Sequence, residues 1–173
     1  MVLKHNEIKI IERAVSKGDR QMRYSNSIRS FDDNRTPKPL RATPRDALVY
    51  SLAKQIGTRL WRLMQDQTHY LIVARNDVNY FVQFIPTELG HLHGEAVSND
   101  FLIYDGEDHR IDTHQQHQLS NLGWSLAPIN YTQLWEQPIL YCEIGIVAAR
   151  TLIEVYGTTT DHIINYKFGE IQR

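Results

Sequence analysis

Residues 70–85 read YLIVARNDVNYFVQFI and contain two runs of strand-favouring residues around the polar segment 76–79. Valine, isoleucine, tyrosine and phenylalanine are enriched in strands, and asparagine and aspartate tolerate the backbone of a tight turn. The stretch therefore predicts an antiparallel β-hairpin. Pro86 ends the second strand because proline lacks the backbone N–H that a strand ladder needs. A third run, residues 91–97, is predicted to extend the sheet.

The third run has alternating side chains that could carry chemistry. The alternation places four residues on one face of the sheet: His91, His93, Glu95 and Val97. Imidazole and carboxylate groups are ligands of zinc and iron, so this face is a candidate metal site or enzyme centre. The spacing specifies no fourth ligand, and a polar sheet face explains the same pattern. We therefore predict no cofactor and keep the metal site as an alternative.

A long amphipathic helix is predicted before the hairpin, over residues 44–66. Thr43 is a good capping residue, Pro44 suits the first helical position, and Asp46 lies in the positive first turn. An apolar stripe follows at helical spacing and consists of Leu48, Leu52, Ile56, Leu60 and Leu63. Gly57 interrupts the helix and indicates a close neighbour, since glycine costs about 1 kcal/mol against alanine there.

Two more helices and a strand are predicted after the third run. Residues 112–122 form a mostly exposed helix, residues 138–156 a strongly apolar one, and residues 163–168 the last strand. Together with the long helix and the hairpin, this order predicts a two-layer α+β domain. Its antiparallel sheet is covered by long helices.

The helix over residues 138–156 is apolar on two sides, so we expect it to be the structural centre. Its cover is the helix at 44–66, the N-terminal segment, or the same helix in a second copy of the chain. Ile144 and Val147 are expected to be deeply buried. Cys142 is expected to pack as a small hydrophobic side chain rather than act as a nucleophile.

The formal charge of −1 for the 173 residues hides an asymmetry. Residues 1–45 contain 11 Lys and Arg against 5 Asp and Glu, a net charge of +6, whereas residues 46–173 contain 8 against 15, a net charge of −7. The basic segment could contact phosphate backbones, but the acidic remainder would repel them. We therefore predict neither nucleic acid nor a membrane surface as a partner.

The N-terminal part of the chain has its own pattern. Ile8, Ile11 and Val15 predict a short amphipathic helix over residues 5–17, and residues 20–42 have the composition of a linker. We accordingly divide the chain into a basic N-terminal tail, 1–43, and an α+β domain, 44–173.

Several common functional motifs are absent from the sequence. It contains no G-x-S-x-G, no P-loop and no G-x-G-x-x-G, which argues against the usual hydrolase, nucleotidase and dinucleotide chemistry. A single cysteine excludes an intrachain disulfide and a multi-cysteine zinc site. The chain shows no signal-peptide pattern and no run of 18 apolar residues, so a cytoplasmic location is expected.

Several short segments follow one another in an order typical of a known family. They are Tyr80–Phe84, Gly94–Asn99, Leu119–Trp124, Asn130–Tyr131 with Trp135, Thr151–Leu152 and Tyr156–Gly157. Over residues 44–168 the chain resembles the TY-Chap domains of bacteria, which are related to type III secretion chaperones and YbjN-like proteins. The resemblance implies a two-layer α+β fold, binding of a client protein or peptide, and no catalytic residues. It also leaves a homodimer open.

The sequence thus predicts a non-enzymatic, chaperone-like domain that holds a segment of a client. The candidate peptide-binding residues are Phe81, Gln83, His91, His93 and Glu95. Two alternatives remain. One is a metal-binding protein or enzyme that uses the face of His91, His93 and Glu95. The other is an interaction or immunity-type protein that binds one folded partner.

Overall fold

A computed structural model describes residues 43–75, 77–104 and 106–171. The helix predicted at 5–17 and the linker predicted at 20–42 lie outside the described residues. Three helices pack with a six-stranded antiparallel sheet: α1 (Pro44–Gln65), α2 (Thr113–Asn121) and α3 (Tyr141–Arg150). The predicted two-layer α+β fold is confirmed.

The sheet is open and entirely antiparallel. The strands in chain order are β1 (His69–Arg75), β2 (Phe81–Pro86), β3 (Leu92–Ala96), β4 (Ile103–Tyr104), β5 (Glu107–Asp108), β6 (Ser125–Leu126), β7 (Tyr131–Trp135) and β8 (Ile164–Glu170). Their order across the sheet is β6-β7-β3-β2-β1-β8, while β4 and β5 form a separate hairpin. Leu71 lies opposite Phe84, so the predicted β1–β2 hairpin is confirmed.

Strand β7 was not predicted, since no strand was expected between the last two helices. It pairs along its whole length with β3, with Trp135 opposite Leu92 and Tyr131 opposite Ala96. The signal was present in the alternation of Tyr131, Gln133 and Trp135 with Thr132 and Leu134. A partner strand nearly 40 positions earlier in the chain is not visible in a local pattern, which explains the omission.

Helix α1 begins as predicted. The Thr43 hydroxyl accepts a hydrogen bond from the Asp46 N–H (3.1 Å), and the Asp46 carboxylate accepts one from the Thr43 N–H (2.9 Å). This reciprocal capping box satisfies two of the free N–H groups at the helix start. The apolar stripe is buried at four of its five positions: Leu52, Ile56, Leu60 and Leu63.

Helices α1 and α3 approach each other through two glycines. A Cβ atom on Gly145 would overlap the carbonyl oxygen of Ala53, and one on Gly57 would lie 3.0 Å from the carbonyl oxygen of Tyr141. The two backbones are therefore in direct contact, which only glycine permits at Gly145. The predicted close neighbour of Gly57 is confirmed, and α1 is the cover of α3.

The exposure of α3 corrects two expectations. Ile144 is 1% exposed, as predicted, but Val147 is only half-buried. Ile146 is 42% exposed and Cys142 is exposed, so the expectation that Cys142 packs inside was wrong. The close contact with α1 turns the stripe of Cys142 and Ile146 away from the core. The helix continues into a π-helical turn at Thr151–Val155.

Two aromatic contacts join the helices to the sheet. The indole N–H of Trp124 donates to the Thr151 hydroxyl (2.8 Å), and its ring meets Trp135 edge to face, with centroids 5.7 Å apart. The Tyr156 hydroxyl donates to the carbonyl of Val97 (2.9 Å). Val97 follows the last residue of β3, and its N–H donates to the carbonyl of Phe81 (3.2 Å), which continues the β2–β3 register by one residue. Its side chain is fully buried.

Candidate functional site

The two faces of the sheet differ in their cover. The described helices pack on one face, where the side chains of β1 to β3 are buried at alternate positions. The other set of alternate side chains forms the opposite face, which we call the open face. Its side chains are Tyr70, Ile72, Ala74, Phe81, Gln83, Ile85, His93, Glu95, Ser125, Thr132, Leu134, Asn165 and Lys167.

About half of the side chains on the open face are apolar. Tyr70, Ile72 and Ile85 are half-buried, and Leu134 is 52% exposed. Phe81 is half-buried and also packs against the hydrophobic core. A solvent-facing side of an antiparallel sheet is normally polar, because the strands alternate between a core side and a water side. Contiguous exposed apolar side chains are typical of interaction surfaces.

The centre of the open face is a hydrogen-bonded polar group. One carboxylate oxygen of Glu95 accepts from the side-chain amides of Gln83 and Asn130, each at 3.0 Å. The other lies 3.3 Å from Nε2 of His93. Gln83 and Glu95 also face each other in the β2–β3 register. The carboxylate is therefore held in one place, with lone pairs left on its second oxygen for a further donor.

The structure brings four of the five sequence-predicted site residues together: Phe81, Gln83, His93 and Glu95. His91 precedes β3, and its N–H donates to the Thr87 hydroxyl (3.1 Å). Within the described part of the chain, the hydrogen-bonded group around Glu95 does not include it.

The other apolar residues of the open face were not predicted as site residues. Tyr70, Ile72 and Ile85 belong to runs that are apolar on both sides, so their pattern does not reveal which side is covered. Leu134 was missed together with β7. The alternation of side chains along β1 was a usable signal, because Tyr70 and Ile72 point away from the face of the buried Leu71 and Val73.

A metal site receives no geometric support on this face. Among residues 43–75, 77–104 and 106–171, no three His, Cys, Asp or Glu side chains are grouped as ligands for a metal ion. The carboxylate of Glu95 is occupied by two amides, and His91 lies outside its group.

The structure defines a two-layer α+β domain with one partly apolar sheet face that the described helices leave open. The chain belongs to the TY-Chap3 family, because residues 51–167 match the family model described as T3SS (YopN, CesT) and YbjN peptide-binding chaperone 3. The resemblance seen in the sequence is confirmed. Every residue of the open face lies within the matched range.

No curated protein and no solved structure gives a significant match to the chain. None of the helices in the described residues has the length and apolar character needed to cross a membrane.

Proposed function

We propose that the chain binds an extended, partly apolar segment of a client protein on the open face, without catalysis. The observation that carries this proposal is the apolar character of the open face, which the described helices do not cover and which lies wholly within the part of the chain that matches a peptide-binding chaperone family.

The arrangement of side chains on the open face suits an extended ligand. Along β2, Phe81 and Ile85 flank Gln83, so one apolar side chain lies on each side of the polar centre. An extended peptide likewise presents every second side chain to one side, at about 6.7 Å spacing. Its alternate apolar side chains would contact Phe81 and Ile85, while a donor between them would reach the fixed Glu95 carboxylate.

Burial of apolar area supplies the affinity. At roughly 25 cal/mol per Å² of apolar surface, one well-buried aliphatic or aromatic side chain contributes about 1.5–3 kcal/mol. Loss of such a contact corresponds to roughly a tenfold weaker Kd or more. The polar centre contributes less, because Glu95 exchanges a hydrogen bond to water for one to the client.

Fluorescence anisotropy tests the proposal with a labelled peptide that has Leu at every fourth position and Thr at the others, so that a Thr hydroxyl lies between two Leu on the same face. The Phe81→Ser, Ile85→Ser double variant should weaken binding by about tenfold or more. The matched control is Ile146→Ser, which removes an exposed apolar side chain from the helix layer on the other side of the sheet. It should bind like the unaltered chain.

Circular dichroism must show that both variants are folded. A peptide in which each Leu is replaced by Ser should not bind. Equal affinity of the double variant and the unaltered chain would overturn the proposal, as would a loss confined to Ile146→Ser.

A further inference from the structure

Glu95 is the one acidic side chain among the described residues of the open face. The two groups that hold one of its carboxylate oxygens, the side chains of Gln83 and Asn130, are neutral amides. Amides satisfy the lone pairs of a carboxylate but bring no positive charge. The centre of the open face therefore holds an anion that is fixed in place and whose charge its amide donors do not balance.

The described residues place no Lys or Arg close to Glu95. Its ion-pair contact is Nε2 of His93 at 3.3 Å, and that ring is positively charged only when it is protonated. Lys167, the one Lys or Arg on the open face, lies in register with Glu95 but three strands away in the order β3-β2-β1-β8. At about 4.8 Å per strand, the two are roughly 14 Å apart across the sheet, which is more than a Debye length at physiological salt.

Apolar side chains lie on both sides of Glu95 along the strands. Ile85 and Leu134 are the cross-strand neighbours of His93, in the row of the sheet next to that of Glu95. Phe81 lies in the row on the opposite side. Alternate side chains of a strand are about 6.7 Å apart, so the carboxylate lies between two apolar positions at the spacing of an extended peptide.

A segment that covers these apolar side chains also takes water away from Glu95. Removal of water from an unbalanced charge is unfavourable, and the attraction to an opposite charge grows as water is excluded. A neutral donor of the client would satisfy one lone pair and leave the charge covered. A Lys or Arg of the client would donate a hydrogen bond and neutralise the charge as well. The carboxylate therefore distinguishes client segments by charge.

The charge of the whole domain favours a basic partner too. Residues 43–75, 77–104 and 106–171 contain 8 Lys and Arg against 14 Asp and Glu, a net charge of −6. Such a charge speeds the encounter with a basic segment but does not fix where that segment binds. Glu95 supplies the position, because its carboxylate is held by hydrogen bonds at the centre of the open face.

We propose that the open face selects client segments of the form apolar-x-(Lys or Arg)-x-apolar. The cation lies on the Glu95 carboxylate, one apolar side chain packs on Phe81, and the other packs on the row of Ile85 and Leu134. This inference rests on the proposed function and narrows it from any partly apolar segment to a basic one.

Fluorescence anisotropy with three labelled peptides of equal length tests the inference in the full chain. The parent peptide has Leu at every fourth position and Thr at the others. The inward-Lys peptide has Lys in place of the central Thr midway between two Leu, on the same side as the Leu. The outward-Lys peptide has the Lys one position earlier, so its charge is the same but its side chain points away from the sheet.

The inward-Lys peptide should bind roughly tenfold more tightly than the parent, since hydrogen bonds to charged groups are the stronger ones. The outward-Lys peptide should gain clearly less, because only the net charge of the domain attracts it. Equal affinity of the two Lys peptides would overturn the inference in favour of attraction by net charge alone.

A pair of charge-removing variants provides the matched control. Glu95→Gln keeps the shape of the side chain, so it should abolish the preference for the inward Lys and bind the parent peptide at least as tightly as the unaltered chain. Glu143→Gln removes an equal charge from an exposed position in the first turn of α3, on the helix layer, and should keep the preference. Circular dichroism must show that both variants are folded. An equal loss of preference in both would overturn the inference.

The same peptides separate the inference from the proposed function. Binding of the parent that depends on Phe81 and Ile85, without a gain from the inward Lys, would sink the inference and leave the proposed function intact. A gain from the inward Lys that needs Glu95 but is undiminished in the Phe81→Ser, Ile85→Ser variant would sink the apolar part of the proposed function and leave the cation site standing. Failure of all three peptides to bind would sink both.

Discussion

The two faces of one sheet use the same strands for different purposes. On the covered face, Leu71, Val73, Val82 and Phe84 are completely buried beneath the helices. On the open face their immediate neighbours in sequence are only half-buried, although several are equally apolar. Adjacent residues of one strand should therefore differ in what they support, because one set holds the fold together and the other is available to a ligand.

A pair of adjacent substitutions in β1 gives the most direct test of the difference between the two faces. Val73→Asp buries an unpaired carboxylate, which costs several kcal/mol out of a typical total of roughly 5–15 kcal/mol, so we expect the domain to lose most of its stability. Ile72→Asp places the same group on the open face opposite Lys167, where an opposite-charge pair can form. Urea unfolding should show a folded Ile72→Asp protein and a largely unfolded Val73→Asp protein. Similar losses in both would mean that the second face is covered as well.

A second comparison lies within α3. Ile144→Ala should lower the free energy of unfolding by about 2–5 kcal/mol, through lost transfer energy and the cavity that remains. Ile146→Ala removes the same atoms from a side chain that is 42% exposed, so its effect should be clearly smaller. Thermal unfolding of both variants measures the difference. If the Ile146 variant were the less stable of the two, the orientation of α3 would be wrong.

The contact between α1 and α3 offers a third comparison. Gly145→Ala forces a methyl group into the carbonyl of Ala53, and overpacking of this kind costs about 1–3 kcal/mol, against a gain of up to about 1 kcal/mol in helix propensity. We therefore expect a net loss of stability. Gly57→Ala meets the Tyr141 carbonyl at 3.0 Å and also gains up to about 1 kcal/mol of helix propensity, so it should be close to neutral. Chemical denaturation should therefore separate the two glycines. A neutral Gly145→Ala variant would show that the helices can move apart freely.

Whether a feature of the fold could be predicted from the sequence depends on how far apart in the chain the interacting residues are. Thr43 with Asp46 and the hairpin at residues 70–85 are local patterns, and both were predicted within a residue or two. The exposure of Cys142 and the pairing of β7 with β3 depend on contacts between distant segments, and both were missed. The residues of the candidate site show the same distinction between local and long-range signals. Gln83 and Glu95 share a face because of strand parity, whereas Asn130 reaches them only through the fold.

The smallest expected effect concerns the β1–β2 turn, which lies at one end of the sheet. The Arg75 guanidinium donates to both carboxylate oxygens of Asp77 (2.7 and 2.6 Å), which lowers the pKa of Asp77 from 3.8 to about 2. Because the folded-state pKa is the lower one, the resulting stability is present above the unfolded value near 3.8 and is lost as the pH falls through about 2. Asp77 is half exposed, so screening limits the contribution to at most about 1 kcal/mol.

Asp77→Asn should therefore be slightly less stable than the unaltered chain at neutral pH, and the difference should shrink as the pH approaches 2. Urea unfolding at both pH values measures it, with Glu88→Gln as the control because Glu88 is exposed in the β2–β3 turn at the other end of the sheet. This control should not reproduce the pH-dependent difference. Arg75 also donates to the carbonyl of Tyr156 (3.0 Å), so it keeps one partner in the variant, and the loss should stay small. A loss as large as that of Ile144→Ala would show that this turn, rather than the covered face, limits the stability of the fold.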